Sequence, residues 1–181
     1  MAELEACRAE GKVRHIGACN LSLADVEACQ HAGRLESLQL PFSLAEPEYA
    51  PVNAAAQRDW QMTTLSYNVL AYGLFSGKYT RDAVFSGTDL RSRVPLLQEP
   101  RRGHAFELLD RIRRVAEMSQ RSCVQVALAW TLAHPSVSVA IVGTRTAAQI
   151  DESARAMSSP WFDEYGDILD PAHTNAHPQM P

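Results

Sequence analysis

Strand-like and helix-like segments alternate along this chain, and that alternation restricts the fold more than any other feature. The strand candidates are short apolar runs, at Val13–Gly17, Ser37–Phe42, Met62–Tyr67 and Val137–Val142. Strands that alternate with helices form parallel βα units with right-handed crossovers. Four strands do not close a barrel, because the familiar closed βα barrel has eight. The pattern therefore predicts an α/β fold that is either a small open parallel sheet or half of a barrel.

Capping residues and apolar spacing indicate where the helices lie. The predicted helices are Ala2–Glu10, Ser22–Ala32, Pro51–Trp60, a stripe of apolar residues from Ala105 to Ala116, and a segment with a capping box that runs from Ser122 to Pro135. The long segment Asn68–Gly103 is rich in glycine and proline and is expected to be mostly loop. The pattern fades after Met157, so we predict one domain over residues 1–157 and an irregular C-terminal tail over 158–181.

The stretch Val137–Ser153 reads as a buried strand, a turn at Gly143 and the start of a helix. Thr146 is a suitable N-cap, with Gln149 three residues later. The predicted helix would carry one apolar face, formed by Ala147, Ile150, Ala154 and Met157. A helix N-terminus favours phosphate, and the adjacent Arg145 is able to form two parallel hydrogen bonds with phosphate oxygens. The alternative is an ordinary capped helix beside a solvated arginine.

Composition excludes several classes of partner. The 181 residues carry a net charge of -4, which argues against a nucleic-acid or anionic-membrane partner. No signal peptide and no apolar run of about 20 residues is visible, so we expect a cytoplasmic protein. The four cysteines are scattered, and His173 and His177 lie in a segment flanked by prolines, so no metal site is expected.

Five segments, in this order, resemble the aldo-keto reductase family. They are Gly11–Asn20 (GKVRHIGACN), Leu38–Leu44 (LQLPFSL), Ser66–Tyr79 (SYNVLAYGLFSGKY), Asp89–Arg93 (DLRSR) and Ile141–Ser153 (IVGTRTAAQIDES). The resemblance implies a TIM-barrel type (β/α) fold, of which this chain would hold the last four βα units, a half-barrel. It also implies that NADP(H) lies across the C-terminal ends of these strands.

The resemblance assigns the nicotinamide end of the cofactor to residues at the strand ends. Asn20 and Gln39 resemble the pair that hydrogen-bonds the nicotinamide carboxamide, and Tyr67 resembles the aromatic residue that stacks on the ring. A purely structural role is the alternative for both Asn20 and Tyr67, as a turn residue and as a core aromatic. The residues that match the loop along the pyrophosphate are Leu70, Tyr72 and Leu74.

The adenosine end is assigned to the last strand and the helix after it. Gly143, Thr144 and Arg145 match the adenosine-phosphate site, and Gln149 matches the residue near the adenine. Gln149 also has a structural duty as a partner of the Thr146 cap. The chain departs from the family at three positions, where Cys19 replaces a serine, Val69 a proline and Ser153 an asparagine.

The family's proton-donor tyrosine and its lysine, aspartate and histidine partners come from the first half of the barrel, so none of them has a counterpart here. We therefore expect no catalytic residue in this chain, since carbonyl reduction needs a general acid as hydride arrives. The resemblance predicts an NADP(H)-dependent carbonyl oxidoreductase present as a truncated chain, which would take a small carbonyl substrate if completed by a first half-barrel. The alternatives are a non-catalytic nucleotide-binding or scaffold module, or a fragment without function. Unpaired strand edges are expected to cause self-association.

Overall fold

The computed structural model describes residues 1–157 and 162–169. Its α-helices are α1 (Ala2–Ala9), α2 (Leu23–Ala32), α3 (Ala50–Trp60), α4 (Arg101–Ser119), α5 (Cys123–Ala133), α6 (Ala147–Ala154) and α7 (Phe162–Leu169). The strands are β1 (Gly17–Cys19), β2 (Ser37–Pro41), β3 (Thr63–Tyr67) and β4 (Val139–Ala140). Short 3₁₀ turns occur at Leu74–Ser76, Leu90–Ser92, Pro95–Leu97 and Arg155–Met157. The described residues thus confirm the predicted alternation of strands and helices.

The four strands form one parallel sheet in the order β1-β2-β3-β4. Gly17 pairs with Ser37, and a Cβ at Gly17 would lie 2.1 Å from the Ser37 hydroxyl oxygen, so a larger residue here would force that hydroxyl to move. Leu38 and Leu40 alternate with half-buried residues along β2, because one face of the sheet packs under helices and the other is partly open. Each strand's carboxyl end lies at the same edge of the sheet, which places the segments after the strands together.

The largest part of the core lies where α4 and α5 pack with the loop after β3. The stripe predicted in α4 is confirmed, since Leu109 and Ile112 are fully buried there. Phe42 stacks on Trp130 of α5 with ring centroids 5.4 Å apart. A second cluster covers β1 and β2 with α2 and α3, and includes Val26. The capping boxes at Ser22 and Ser122 are both formed, as side-chain and backbone hydrogen bonds.

The first and last strands differ from their predicted bounds. The first strand is Gly17–Cys19 and not Val13–Gly17. The Ile16 N–H donates to the Glu36 carboxylate at 3.2 Å, while its carbonyl oxygen still accepts from the Glu36 N–H at 2.8 Å. Only Val139 and Ala140 of the last predicted strand pair with β3. Val139 is 42% exposed, so the expectation of a buried strand is wrong: the described residues provide no neighbour on the outer side of β4.

Two predictions about the last third of the chain are also wrong. The predicted apolar face of α6 is turned outward, with Ile150 55% and Met157 79% exposed, while Gln125 of α5 contacts the opposite side at the Glu152 carbonyl oxygen, 3.3 Å away. Residues Phe162–Leu169, predicted as irregular tail, form α7, whose Leu169 is buried in the main core. The rest of the predicted tail, including His173 and His177, lies outside the described residues.

Candidate functional site

The ends of β1, β2 and β3 bring three of the expected site residues together. Asn20 follows β1 in a left-handed conformation (φ 59°), and its N–H donates to the Gln39 carbonyl oxygen at 3.0 Å. The Tyr67 hydroxyl at the end of β3 donates to Asn20 Oδ1 at 2.8 Å. The Gln39 side chain is half-buried and makes no hydrogen bond within the described residues. Two amides and one aromatic ring therefore share one end of the sheet, with the Asn20 and Gln39 amino groups left to donate.

Beside these strand ends lies a cleft of about 650 Å³. Its walls come from the loop after β3, the segment after β4, and α6. Six of the ten expected cofactor residues line it: Leu70, Tyr72, Gly143, Thr144, Arg145 and Gln149. A second, smaller cleft of about 240 Å³ shares several of these residues and is also lined by Asn68. Pockets of this size are ordinary for small molecules and cofactors.

Four of the expected cofactor residues do not line the cleft: Asn20, Gln39 and Tyr67, which belong to the strand ends described above, and Leu74. Leu74 is also the one of these four that is fully buried. It lies in the 3₁₀ turn Leu74–Ser76 and is 1% exposed, packed in the main core. Its neighbours Gly73 and Ser76 line the cleft instead. Since Leu74 fills the core beneath the loop, its side chain supports the cleft wall and does not face the cavity.

The segment before α6 contains the predicted helix cap at Thr146 and lines the cleft with the residues that precede it. Thr146 Oγ1 accepts from the Gln149 N–H at 3.3 Å, which confirms the N-cap. The Gln149 side chain accepts from the Arg145 N–H at 2.7 Å and not from the Thr146 N–H, so it braces the residue before the cap. Among the described residues the Arg145 guanidinium has no hydrogen-bond or ion-pair partner, and the residue is exposed. Its charge is therefore available to an anion in the cleft.

Two further cations, Arg91 and Lys78, line the cleft, and they differ in whether a carboxylate neutralises them. Arg91 forms an ion pair with Asp89, donates to the Tyr79 hydroxyl, and lies over the Phe85 ring with 4.7 Å from guanidinium carbon to centroid. It anchors the long loop, so its charge is already neutralised. Lys78 is exposed and lines the cleft without a carboxylate partner in the described residues, and its ammonium lies 4.9 Å from the centroid of the Tyr79 ring. Sequence reasoning missed Lys78, although its place directly after Gly77 in the quoted motif was a usable signal.

The tyrosines of the site do not form an obvious acid–base pair. Burial is the main cause that raises the pKa of both the Tyr67 and the Tyr72 hydroxyl, and the nearby Glu46 carboxylate adds to both shifts. No lysine or histidine is among the groups that shift either pKa. Arg101 is the one cation that acts on Tyr72, and its lowering effect on the pKa is smaller than the raising effect of burial. A phenol with a raised pKa is a poor proton donor to a carbonyl oxygen.

No three His, Cys, Asp or Glu side chains in residues 1–157 and 162–169 are placed to hold a metal ion. In the same ranges, no helix is both long and apolar enough to cross a membrane.

Curated proteins similar to this chain include aldo-keto reductases from several organisms. The aldo-keto reductase YhdN of Bacillus subtilis is 30% identical over 142 residues, which are 78% of this chain and 43% of that protein. The NADP(+) aldo-keto reductase yakc of Schizosaccharomyces pombe is 27% identical over 162 residues, 87% of this chain and 47% of that protein. An NADH-specific methylglyoxal reductase of Escherichia coli is 25% identical over 158 residues, 87% of this chain and 48% of that protein. The chain thus spans about half the length of these relatives.

A solved structure and a family model agree with these similarities. The glycerol dehydrogenase of Gluconobacter oxydans superposes on 99% of this chain and 55% of its own, with a TM-score of 0.83 and 26% identity. Four parallel βα units over about half of such a neighbour confirm the predicted half-barrel type of fold. The model of the Aldo/keto reductase family matches residues 1–170, nearly the whole of the sequence. This chain belongs to the aldo-keto reductase family of oxidoreductases.

Proposed function

We propose that this chain is the cofactor-binding half of an NADP(H)-dependent oxidoreductase that transfers hydride between the cofactor and a small carbonyl compound or alcohol. The observation that carries the proposal is the cleft beside the strand ends, whose lining includes six of the expected residues, among them Arg145, and also Lys78; neither cation forms an ion pair within the described residues. An extended dinucleotide with a pyrophosphate and a 2′-phosphate suits a cleft lined by cations, with the Asn20 and Gln39 amides outside its lining, at the strand ends.

The residues divide between the two ends of the cofactor. Asn20 and Gln39 would donate to the nicotinamide carboxamide, and Tyr67 would stack on the ring, held in place by its hydrogen bond to Asn20. Leu70 and Tyr72 would flank the pyrophosphate, with Lys78 as its counter-charge. The bound nicotinamide supplies the hydride, and the chain's own residues orient it and exclude water from one side.

The adenosine end supports the choice of NADP(H) over NAD(H). Gly143 and Thr144 line the cleft at the turn before α6. Arg145 adds a guanidinium that has no hydrogen-bond or ion-pair partner in the described ranges. A forked contact to a 2′-phosphate would use that charge, whereas NADH has no group for it. The named relatives differ on this point, one being an NADP(+) enzyme and another NADH-specific.

The proton needed by the carbonyl oxygen would come from outside these 181 residues. The raised pKa values of Tyr67 and Tyr72, with no lysine or histidine among the groups that act on them, support this part of the proposal. The second candidate is a nucleotide-binding module without catalysis, which is favoured by the same absence of an acid in the described residues. Both candidates predict cofactor binding, and they differ in whether a partner half restores turnover.

The binding test uses the full chain and its Gln39→Ala variant, titrated with NADPH and, separately, with 2′-phospho-ADP-ribose, which lacks nicotinamide. Because the Gln39 amide makes no hydrogen bond in the described residues, the variant should fold unchanged. One lost hydrogen bond is worth about 0.5–1.5 kcal/mol, so NADPH affinity should fall about 2- to 12-fold while the fragment's affinity stays constant. Absence of any NADPH binding, or an equal loss for both ligands, would contradict the proposed site.

The catalytic test is NADPH oxidation by the pure chain with an aromatic aldehyde. We expect no turnover above background, and turnover regained on mixing with a first half-barrel of the family. Tyr67→Phe serves as the control: steady turnover of the unmutated chain that disappears in this variant would show that the chain holds its own acid. Binding without turnover even in the presence of a first half-barrel would favour the non-catalytic module.

A further inference from the structure

Glu46 is a half-buried carboxyl group beside the site that has no role in the proposed binding scheme. It follows β2 in a tight turn, where its N–H donates to the Ser43 carbonyl oxygen at 3.0 Å and the Ser43 N–H donates back at 3.3 Å. The carboxylate accepts a hydrogen bond from Asn68 Nδ2 at 2.6 Å, across 22 residues of sequence. A charged acceptor makes this one of the stronger kinds of side-chain hydrogen bond.

Asn68 passes this contact on to the backbone of the loop after β3. Its Oδ1 accepts from the Tyr72 N–H at 2.7 Å, and its carbonyl oxygen accepts from the Ala71 N–H at 2.8 Å. Asn68, Ala71 and Tyr72 all have positive φ (58°, 48° and 56°). Alanine and tyrosine adopt this left-handed conformation at a cost, so contacts from outside the loop are needed to keep it.

The loop held in this way forms a wall of both clefts. Leu70, Tyr72 and Gly73 line the larger and the smaller cleft, and Asn68 lines the smaller. We propose that Glu46 is a positioning residue, which fixes the cleft-lining loop Asn68–Gly73 by orienting the Asn68 amide toward the Tyr72 N–H. The consequence for cofactor affinity rests on the proposed function, whereas the ordering of the loop does not.

The other charged and titratable groups around Glu46 leave Asn68 as its hydrogen-bond partner. Arg101 of α4 lies close enough to act on the Glu46 carboxyl, but its guanidinium bonds Glu48 at 3.1 Å. Burial is the main cause that raises the pKa of Glu46, and the Asn68 hydrogen bond opposes it. The hydroxyls of Tyr67 and Tyr72 are near enough for the carboxylate to raise their pKa values. The amide contact is therefore the route by which Glu46 acts on the loop.

The test compares Glu46→Gln, which keeps an acceptor oxygen, with Glu46→Leu, which has none. Hydrogen-exchange protection is measured in the full chain without ligand, over the amides of residues 71–73 and, as an internal control, over residues 109–112 of α4. In Glu46→Leu we expect protection of the loop amides to fall about 10- to 150-fold, with α4 unchanged. Glu46→Gln should restore most of that protection. Equal loss in both variants, or loss in α4 as large as in the loop, would overturn the proposal.

A second variant covers the case in which leucine at position 46 disturbs folding. Asn68→Gly keeps the left-handed backbone but removes both side-chain hydrogen bonds, so it should lower loop protection as Glu46→Leu does, and the double variant should be no worse than either. Additive losses would show that Glu46 does not act through Asn68. NADPH titration of the same proteins separates the two proposals: an unmutated chain that binds no NADPH refutes the proposed function alone, while binding that weakens with loop protection supports both.

Discussion

Removing the Arg145 side chain should change the choice of cofactor and little else. Arg145 is exposed, and among the described residues its guanidinium has no hydrogen bond or ion pair. The hydrogen bond that Arg145 does form, from its backbone N–H to Gln149 Oε1 at 2.7 Å, is kept by alanine. The unfolding free energy of Arg145→Ala should therefore stay within about 0.5 kcal/mol of the original. Any large effect on binding would then come from the lost charge.

The expected size of that effect follows from the contact proposed for the 2′-phosphate. A hydrogen-bonded contact to a charged group is worth about 1.5–3 kcal/mol, which corresponds to about a 10- to 150-fold preference for NADPH over NADH. Arg145→Ala should remove most of this preference by weakening NADPH binding while leaving NADH binding unchanged. Arg145→Lys keeps the charge without the fork and should give an intermediate preference.

Fluorescence titration with NADPH and NADH measures both affinities in each variant. The matched control is Arg155→Ala, which removes an exposed arginine at the end of α6 and leaves the cleft lining intact. Equal affinities for the two cofactors in the unmutated chain would refute the reasoning. So would a loss of preference in Arg155→Ala as large as in Arg145→Ala, since it would indicate general electrostatic attraction and not a specific contact.

Three further predictions concern stability and assembly. Burial raises the pKa of Glu46, so the folded state binds this proton more readily than the unfolded state. The unfolding free energy should therefore fall as pH rises from the ordinary glutamate pKa through the raised one. Urea unfolding of Glu46→Gln across that pH range should lack this decrease. The unpaired edges at Gly17–Cys19 and beside Val139 should cause dimers or larger soluble assemblies at micromolar concentration, and a monodisperse, cooperatively melting monomer in sedimentation would contradict this. Leu109→Ala, in the fully buried core, should cost about 2–5 kcal/mol by urea unfolding, whereas Val84→Ala, at 92% exposure, should cost less than about 0.5 kcal/mol.

Local signals in the sequence were sufficient for most of the helices and for the order of the strands. The stripe in α4 and the capping boxes at Ser22 and Ser122 are properties of neighbouring residues, so sequence alone located them. What covers an apolar residue is not a local property. Val139 and Ile150 are apolar residues of the kind usually found buried, yet both are exposed because no described element packs over them.

The sequence of α7 contains an apolar helix pattern that a central glycine obscures. Tyr165, Ile168 and Leu169 have the i, i+3, i+4 spacing of an apolar helix face, and all three pack against the main core. Gly166 lies in the middle of the segment and disfavours a helix by about 1 kcal/mol, which weakens the pattern in sequence. Contacts of α7 with α4 and α5 stabilise the helix in spite of its weak intrinsic helix propensity.

Within the site, the residues that sequence reasoning found and missed differ in the same way. Gly143, Thr144 and Arg145 follow a strand and precede a capped helix, so their position is set locally. Glu46 was missed because its contact with Asn68 joins the segment after β2 to the segment after β3. No pattern in either segment alone reports that hydrogen bond, which depends on the two parallel strands ending at the same edge of the sheet.

This division between local and non-local features also bears on how binding and catalysis are linked. Most of the residues proposed for the cofactor lie directly after strands or before a helix, while Gln39 lies within β2 and Tyr67 ends β3, so four βα units are enough to place all of them. The row formed by Cys19, Gln39, Leu65 and Val139, aligned by the strand register, instead runs across the partly open face of the sheet. Groups opposite that face would have to supply a proton and exclude water, and the described residues provide neither. Water on an open face weakens electrostatic stabilisation of a developing charge far more than it weakens stacking of an aromatic ring on the nicotinamide. Cofactor affinity and carbonyl turnover are therefore expected to be separable in this protein, with the first set by the strand ends and the second by whatever closes the sheet.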